Sequence, residues 1–271
     1  MIGLCKRVLI REEMVHFGDD RVYVASSGDG KPVILVHGFA SSVWTSWHLN
    51  FHALAQRFHV FGIDLMGFGR SDRPELQYGV ELFAEIIRSI VDYYNLDKLN
   101  LVGWSMGGGV AIQYALKYPD SLAKLVLVDA SRLRQKTPSK IVRPAVKTSP
   151  DGSLIRDRVR KDWEQYFYNK DKVPEEIIDE ALLINNRTGS SKVRDIYRRA
   201  NKWESFYDKL SLIRVPVLVM AATHSSLSLE EARSAQQRMK HARLHVIDDA
   251  GHALQIEKAE EFNRVVIDFL K

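Results

Sequence analysis

The run Leu99-Asn100-Leu101-Val102-Gly103-Trp104-Ser105-Met106-Gly107-Gly108-Gly109 sets a serine between two glycines, behind an apolar β-prone segment and ahead of a helix-forming one. A serine on such a sharp strand-to-helix turn takes a strained backbone conformation, and glycine at 103 and 107 removes the β-carbons that would collide there. The helix that starts behind it turns its N-terminal N–H groups and the positive end of its dipole toward the hydroxyl. The plain alternative is a glycine-rich helix start that merely lets a strand and a helix pack closely, so the pentapeptide needs support from the rest of the chain.

On both sides of this turn, short apolar and β-branched runs alternate with helical stretches, the pattern of a parallel sheet flanked by helices. The spacing predicts strands over Arg21–Ala25, Val33–His37, His59–Ile63, Leu99–Gly103, Leu125–Val128, Val217–Ala221 and Arg243–Ile247. It predicts helices over Val80–Tyr94, Met106–Tyr118, Leu229–Met239 and Ala259–Leu270, the second closed by Pro119. Residues 132–213 break the alternation with helical stretches over Ser153–Tyr168, Glu175–Asn186 and Ser190–Lys209. Pro138, Pro144, Pro150 and Gly152 mark the entry to this insertion, and Pro216 the return to the sheet. The expected organisation is a core of residues 1–131 and 214–271 with a helical lid, residues 132–213, over the carboxyl ends of the strands.

The 271 residues suffice for one sizeable core, and 45% hydrophobic with 27% charged residues is an ordinary globular balance. No apolar run reaches the roughly 18 residues of a membrane span. The segment Met1–Ile10, with Lys6 and Arg7, lacks the apolar length and cleavage site of a secretory signal. Cys5 alone forms no internal disulfide, so a cytoplasmic location is expected. Residues 132–214 hold 20 of the 39 basic but only 12 of the 34 acidic residues, so the basic excess sits in the insertion. That excess is either a solvated helical surface or a means of attracting anionic substrates or a membrane surface. No nucleic-acid-binding module accompanies it, no His, Asp or Glu cluster has metal-ligand spacing, and no dinucleotide fingerprint is present. No metal or cofactor is therefore expected, and oligomeric state is not legible.

Two further segments join the serine turn: His37-Gly38-Phe39-Ala40 after one predicted strand, and Asp64-Leu65-Met66-Gly67-Phe68-Gly69-Arg70-Ser71-Asp72 after the next. With these, and with the stretch from Ala242 through Gly251-His252 to Arg264, the chain resembles the α/β-hydrolase family over nearly its whole length outside the insertion. It is most similar to the subgroup of carboxylesterases and meta-cleavage-product C–C hydrolases. The resemblance implies Ser105 as nucleophile, His252 as general base, and the backbone N–H groups of Phe39 and Met106 as the oxyanion hole. It makes His37 part of the oxyanion turn and leaves the Asp64–Asp72 string as a structural turn. Trp104 and Gly38 are expected at the substrate pocket, with Trp163, Tyr166, Phe167, Tyr168, Trp203 and Phe206 either lining it or holding the lid together.

The catalytic acid departs from the family pattern. It usually follows the strand that here is Val217-Leu218-Val219-Met220, but the expected aspartate is Ser225, and no carboxylate appears before Glu230. Three explanations compete. The acid has moved to Asp129, after Leu125–Val128, as in certain haloalkane dehalogenases; or Ser105 and His252 act as a dyad with Ser225 or a water; or hydrolysis is weak or lost and the pocket only binds its ligand. Serine at the elbow excludes the aspartate-dependent dehalogenase and epoxide hydrolase chemistries. C–C hydrolases usually carry Asn before the nucleophile and Trp after the base, where this chain has Trp104 and Ala253. The first expectation is therefore a carboxylesterase of small to medium acyl esters, followed by a C–C hydrolase and then a binding protein on a hydrolase scaffold.

Overall fold

The computed structural model describes residues 9–135, 155–200, 204–225 and 227–271. Cys5, Lys6, Arg7, Pro138, Pro144, Pro150, Gly152, Ser153 and Trp203 lie outside the described residues. In chain order the elements are β1 (Arg11–Phe17), β2 (Asp20–Ser27), β3 (Pro32–Val36), α1 (Val43–Ala55), β4 (His59–Ile63), α2 (Val80–Tyr93), β5 (Leu99–Trp104), α3 (Met106–Lys117) and β6 (Leu122–Val128). There follow α4 (Arg156–Glu164), α5 (Glu175–Asn185), α6 (Ser190–Ala200), β7 (Val217–Ala222), α7 (Leu229–Arg238), β8 (Ala242–Ile247), α8 (Leu254–Glu257) and α9 (Ala259–Leu270). The eight strands form one sheet in the order β1-β2-β4-β3-β5-β6-β7-β8, parallel from β4 to β8, with β1 and β2 antiparallel at one edge. This is the α/β-hydrolase architecture.

Central strands β3, β5, β6 and β7 are buried along most of their length, which is why they read as apolar runs. Helices α2, α3 and α7 pack on one face, and α1, α8 and α9 on the other. Edge strand β1 escapes the sequence reading because only Val15 is fully buried, so no apolar run marks it. Helix α1 escapes it because its buried face includes Thr45, Ser46 and Asn50; it is secured instead by a reciprocal cap between Ser42 and Thr45. The predicted strand Val33–His37 ends one residue early, where His37 begins a turn. The predicted helix Ser190–Lys209 ends at Ala200, and a separate 3₁₀ turn follows over Tyr207–Leu212.

Among the described residues the insertion contains no strand. Helices α4 and α5 extend the apolar cluster on the α1 face through Val159, Trp163, Ile177 and Ile178, whereas Val193 and Tyr197 of α6 join the other cluster. Its polar seat is the Asp64–Asp72 turn. Arg70 pairs with Glu180 through both terminal guanidinium nitrogens, the neighbouring Arg73 donates from Nε to Ser190 Oγ (3.0 Å), and Arg187 donates to the Gly69 carbonyl (2.8 Å). The turn is organised by buried Asp64, which accepts from the N–H groups of Val43 (2.6 Å) and Arg70 (2.8 Å). Burial pushes this carboxyl up to about 6 despite those donors. Among the described residues no helix is long and apolar enough to cross a membrane.

A second clasp joins the insertion to the loop after β8. The largely buried Glu257 carboxylate accepts the N–H groups of Tyr168 (3.0 Å), Asn169 (2.7 Å) and Gly251 (2.8 Å), and Ala253 N–H donates to the Tyr166 carbonyl (2.8 Å). Glu257→Ala strands three backbone donors, the Gly251 bond being fully buried. It is expected to lower unfolding free energy by about 2–3 kcal/mol, measured by urea denaturation; a loss below about 0.5 kcal/mol would show that the clasp contributes little.

Candidate active site

The nucleophile elbow has the geometry its glycines imply. Ser105 sits at φ 54°, ψ −115°, between the end of β5 and the first turn of α3. A β-carbon at Gly103 would lie 2.3 Å from the Gly107 carbonyl oxygen, and one at Gly107 would lie 2.3 Å from that of Val36. The strained serine is held by its own backbone: Ser105 N–H donates to Val128 O (3.0 Å), and Ser105 O accepts from Ser131 N–H (2.8 Å).

Three chemically reactive groups converge there. Ser105 Oγ lies 2.9 Å from His252 Nε2, across 147 residues of sequence. His252 Nδ1 in turn hydrogen-bonds Asp129 Oδ2, which is wholly buried at the end of β6, with its residue at φ 40°. Nδ1 donates to the carboxylate, so the Nε2 lone pair faces the serine hydroxyl. Ser225, at the position where the resemblance leads one to look for the acid, donates its hydroxyl to the same Asp129 oxygen. The loop carrying the imidazole is pinned at three successive residues: Gly251 and Ala253 through the clasp, and His252 O by Trp104 Nε1–H at 2.8 Å.

The turn after β3 lies alongside. A β-carbon at Gly38 would be 3.4 Å from Ser105 Cβ. His37 is completely buried; its Nδ1–H donates to Gly38 O (2.7 Å) and its Nε2 accepts Leu65 N–H (2.9 Å), which uses both nitrogens of a neutral ring. Met106 is the first residue of α3, so its N–H has no acceptor within the helix. The Phe39 ring packs on Phe68 and Tyr197.

Beside these groups is a cavity of about 270 Å³, lined by Phe39, Ser41, Trp104, Trp163 and Tyr166 and by the charged Arg158, Asp162, Arg194 and Arg198. Trp104 and Tyr166 connect it to the imidazole, since both ring centroids lie 5.2 Å from that of His252. Gly38, also expected at the pocket, is not among the residues lining this cavity; it lies against the Trp104 indole, where a β-carbon would come within 2.8 Å of the ring. Of the expected aromatics, Trp163 and Tyr166 line the cavity. Phe167 and Phe206 are core residues, and Tyr168 stacks on His224 (4.1 Å).

The charged lining was not singled out from sequence. Arg158 pairs with Asp162 one helical turn away (2.9 Å), and Arg198 pairs with Asp195 (3.4 Å) while lying 5.3 Å above the Phe39 ring. Arg194 differs. It is 8% exposed, and among the described residues it bonds only to Asn185, through the carbonyl (3.3 Å) and side-chain (3.0 Å) oxygens. Burial, then the charge of Arg198, lowers its pKa from the ordinary arginine value, with the charge of Asp195 acting the other way, and among the described residues Arg194 is in ion-pair contact with no carboxylate.

A family model described as alpha/beta hydrolase fold matches residues 31–180. A 2-hydroxy-6-oxo-2,4-heptadienoate hydrolase from Pseudomonas putida is 27% identical over 95% of both chains. A solved mutant of the meta-cleavage product hydrolase from Pseudomonas fluorescens IP01 is 25% identical, covers 93% of this chain and 94% of its own, and superposes with a TM-score of 0.80. An N-acyl homoserine lactone degrading enzyme is also 25% identical, with coverage of 95% and 100% and a TM-score of 0.78.

Burial holds the His37 imidazole down at about 4, against an ordinary 6.5. A base with a depressed folded-state pKa contributes stability above its unfolded pKa and loses it as pH falls through the folded value. The window is pH 6.5 to 4 and the size about 3 kcal/mol. Asp64, raised in the same region, has the opposite pH dependence, so the His37 contribution is read as the difference between wild type and His37→Gln. Urea titrations from pH 7.5 to 4 are expected to show a shallower fall in the variant; equal slopes would refute the buried neutral ring.

Proposed function

The chain belongs to the α/β-hydrolase fold family, and we propose that within it the protein is a serine hydrolase cleaving an acyl bond in a small substrate that carries a negative charge. The observation that carries this reading is the 2.9 Å contact between Ser105 Oγ and His252 Nε2, with Asp129 behind the imidazole. Ser105 attacks the substrate carbonyl as His252 takes its proton, and Asp129 stabilises the resulting imidazolium. The N–H groups of Met106 and Phe39 receive the tetrahedral oxyanion, each supplying on the order of a few kcal/mol. His252 then protonates the leaving group, and a water activated by the same ring releases the acid from the acyl-enzyme. The helices of residues 132–213 act as the lid.

The acid at Asp129 weakens the binding-only reading, whose motive was the missing carboxylate at Ser225. The substrate charge follows from Arg194: a buried guanidinium without a carboxylate partner is costly unless a ligand anion faces it. A cavity of about 270 Å³ suits a small acyl group. Ester hydrolysis is the first reading, because Trp104 and Ala253 stand where the C–C hydrolases have Asn and Trp. The C–C reading is the second, and the P. putida relative, named for a dienoate, favours it.

Two substrates decide between charge classes: mono-p-nitrophenyl succinate and the neutral p-nitrophenyl butyrate. The succinate is expected to react with a kcat/KM about tenfold or more higher, the advantage vanishing in Arg194→Gln and all turnover vanishing in Ser105→Ala. An equal rate for both esters removes the charge requirement. If only 2-hydroxy-6-oxo-2,4-heptadienoate is consumed, the C–C reading replaces the ester. Absence of Ser105-dependent turnover together with absence of fluorophosphonate labelling defeats the hydrolase reading itself. Asp129→Asn should lower kcat by up to about 10⁴.

A further inference from the structure

Asp129 presents an asymmetry. Both donors that reach its carboxylate, His252 Nδ1 and Ser225 Oγ, converge on Oδ2, whereas Oδ1 is buried and bonds to no described residue. A carboxylate held through one oxygen turns about its Cβ–Cγ bond unless its donors fix it, and one of these donors is the ring that it must itself orient. Ser225 is thus the donor independent of the imidazole.

We propose that Ser225 is a positioning residue of this site: its hydroxyl fixes the rotation of the Asp129 carboxylate and thereby aims Oδ2 at His252 Nδ1. The inference rests on the reading of Asp129 as the acid.

The loop after β7 is built to hold that hydroxyl still. Thr223 N–H donates to Ile247 O (3.2 Å), His224 N–H to Ala250 O (3.0 Å) and Asp249 N–H to Thr223 Oγ1 (3.0 Å), which ties the loop to the segment leading to His252. From the other side Asp129 N–H donates to Met220 O of β7 (2.8 Å). The carboxylate and the hydroxyl therefore sit on loops that share one scaffold. Ser225 Oγ also accepts Leu227 N–H at 3.4 Å, a local turn contact that could by itself account for a serine here. The two roles predict different kinetics.

The test uses the full chain, with p-nitrophenyl acetate turnover and the rate of fluorophosphonate labelling at Ser105 as readouts. Ser225→Ala is expected to lower kcat and the labelling rate about tenfold to a hundredfold with KM nearly unchanged, the size of a hydrogen bond to a charged group. Ser225→Thr, which keeps the hydroxyl, should stay within about threefold of wild type. Moving the carboxylate across the pair, Asp129→Ser with Ser225→Asp, should regain at least about tenfold over Asp129→Ser alone. Wild-type kcat in Ser225→Ala overturns the proposal, as does an equal loss in Ser225→Thr with no gain in the double variant, which would mark a turn contact only. If Asp129→Asn keeps full kcat/KM, the acid assignment fails instead, and the two failures are thereby distinguished.

Discussion

The close approach of four backbone segments around Ser105 is the constraint on which the site depends. Gly107 lies against the carbonyls of Val36 and His37, Gly103 against the start of α3, and Gly108 against Ala130, where an added β-carbon would come within 2.3 Å of the alanine side chain. These clearances do more than permit a strained serine. They bring the turn after β3 beside the nucleophile, and they fix the loop after β6, which carries Asp129. Strain of roughly 1–3 kcal/mol at a left-handed serine persists because bonds from Ser105 N–H and to Ser105 O over-determine it. One packing solution thus places the Ser105 hydroxyl, the loop of Asp129 and the turn after β3 together.

The base arrives by a different route. His252 belongs to a loop with little regular structure, between β8 and the short α8, where Gly251 packs so closely on the 166–168 backbone that a β-carbon would lie 2.5 Å from Tyr166 O. Its place is set further by donors and acceptors on three consecutive residues, two of them reaching the insertion through Tyr166 O and Glu257. The imidazole is therefore coupled to residues 166–169. A displacement of that segment would break bonds on either side of the ring. The aromatic contacts point the same way, since Trp104 and Tyr166 both touch the ring and stack edge-on to one another at 6.1 Å.

What the sequence made legible follows from how each feature is buried. Strands covered on both faces read as apolar runs, and the glycines around Ser105 have a steric reason that needs no coordinates. Strand β1, half exposed, and helix α1, with Thr45, Ser46 and Asn50 inside, carry no such pattern. Asp129 was legible only as one of three explanations, because an aspartate after a strand is a common loop cap. Its distinguishing contact joins residues 123 positions apart. Ser225 read as a missing acid, since a sequence records the carboxylate it lacks but not the donor it supplies. Gly38 shows a related limit of sequence: its motif places it near the nucleophile, but only packing reveals its contact with the Trp104 indole.

The basic excess of the insertion divides along the same line. Arg156 and Arg160 meet Glu175, and Arg156 also meets Asp179, in exposed pairs. Lys192 reaches Glu75 in the same way. Such pairs contribute little and are screened by salt, which is the solvated-surface half of the expectation. Arg194 is placed differently. It has lost most of its water, sits beside a second arginine, and among the described residues receives only the neutral oxygens of Asn185 in exchange. A total charge sums these situations and so conceals the difference. Sequence composition locates the basic segment; burial sets Arg194 apart from Arg158 and Arg198 among the cations lining the cavity, and a fixed charge in a low-dielectric wall acts more strongly on its surroundings than a solvated one.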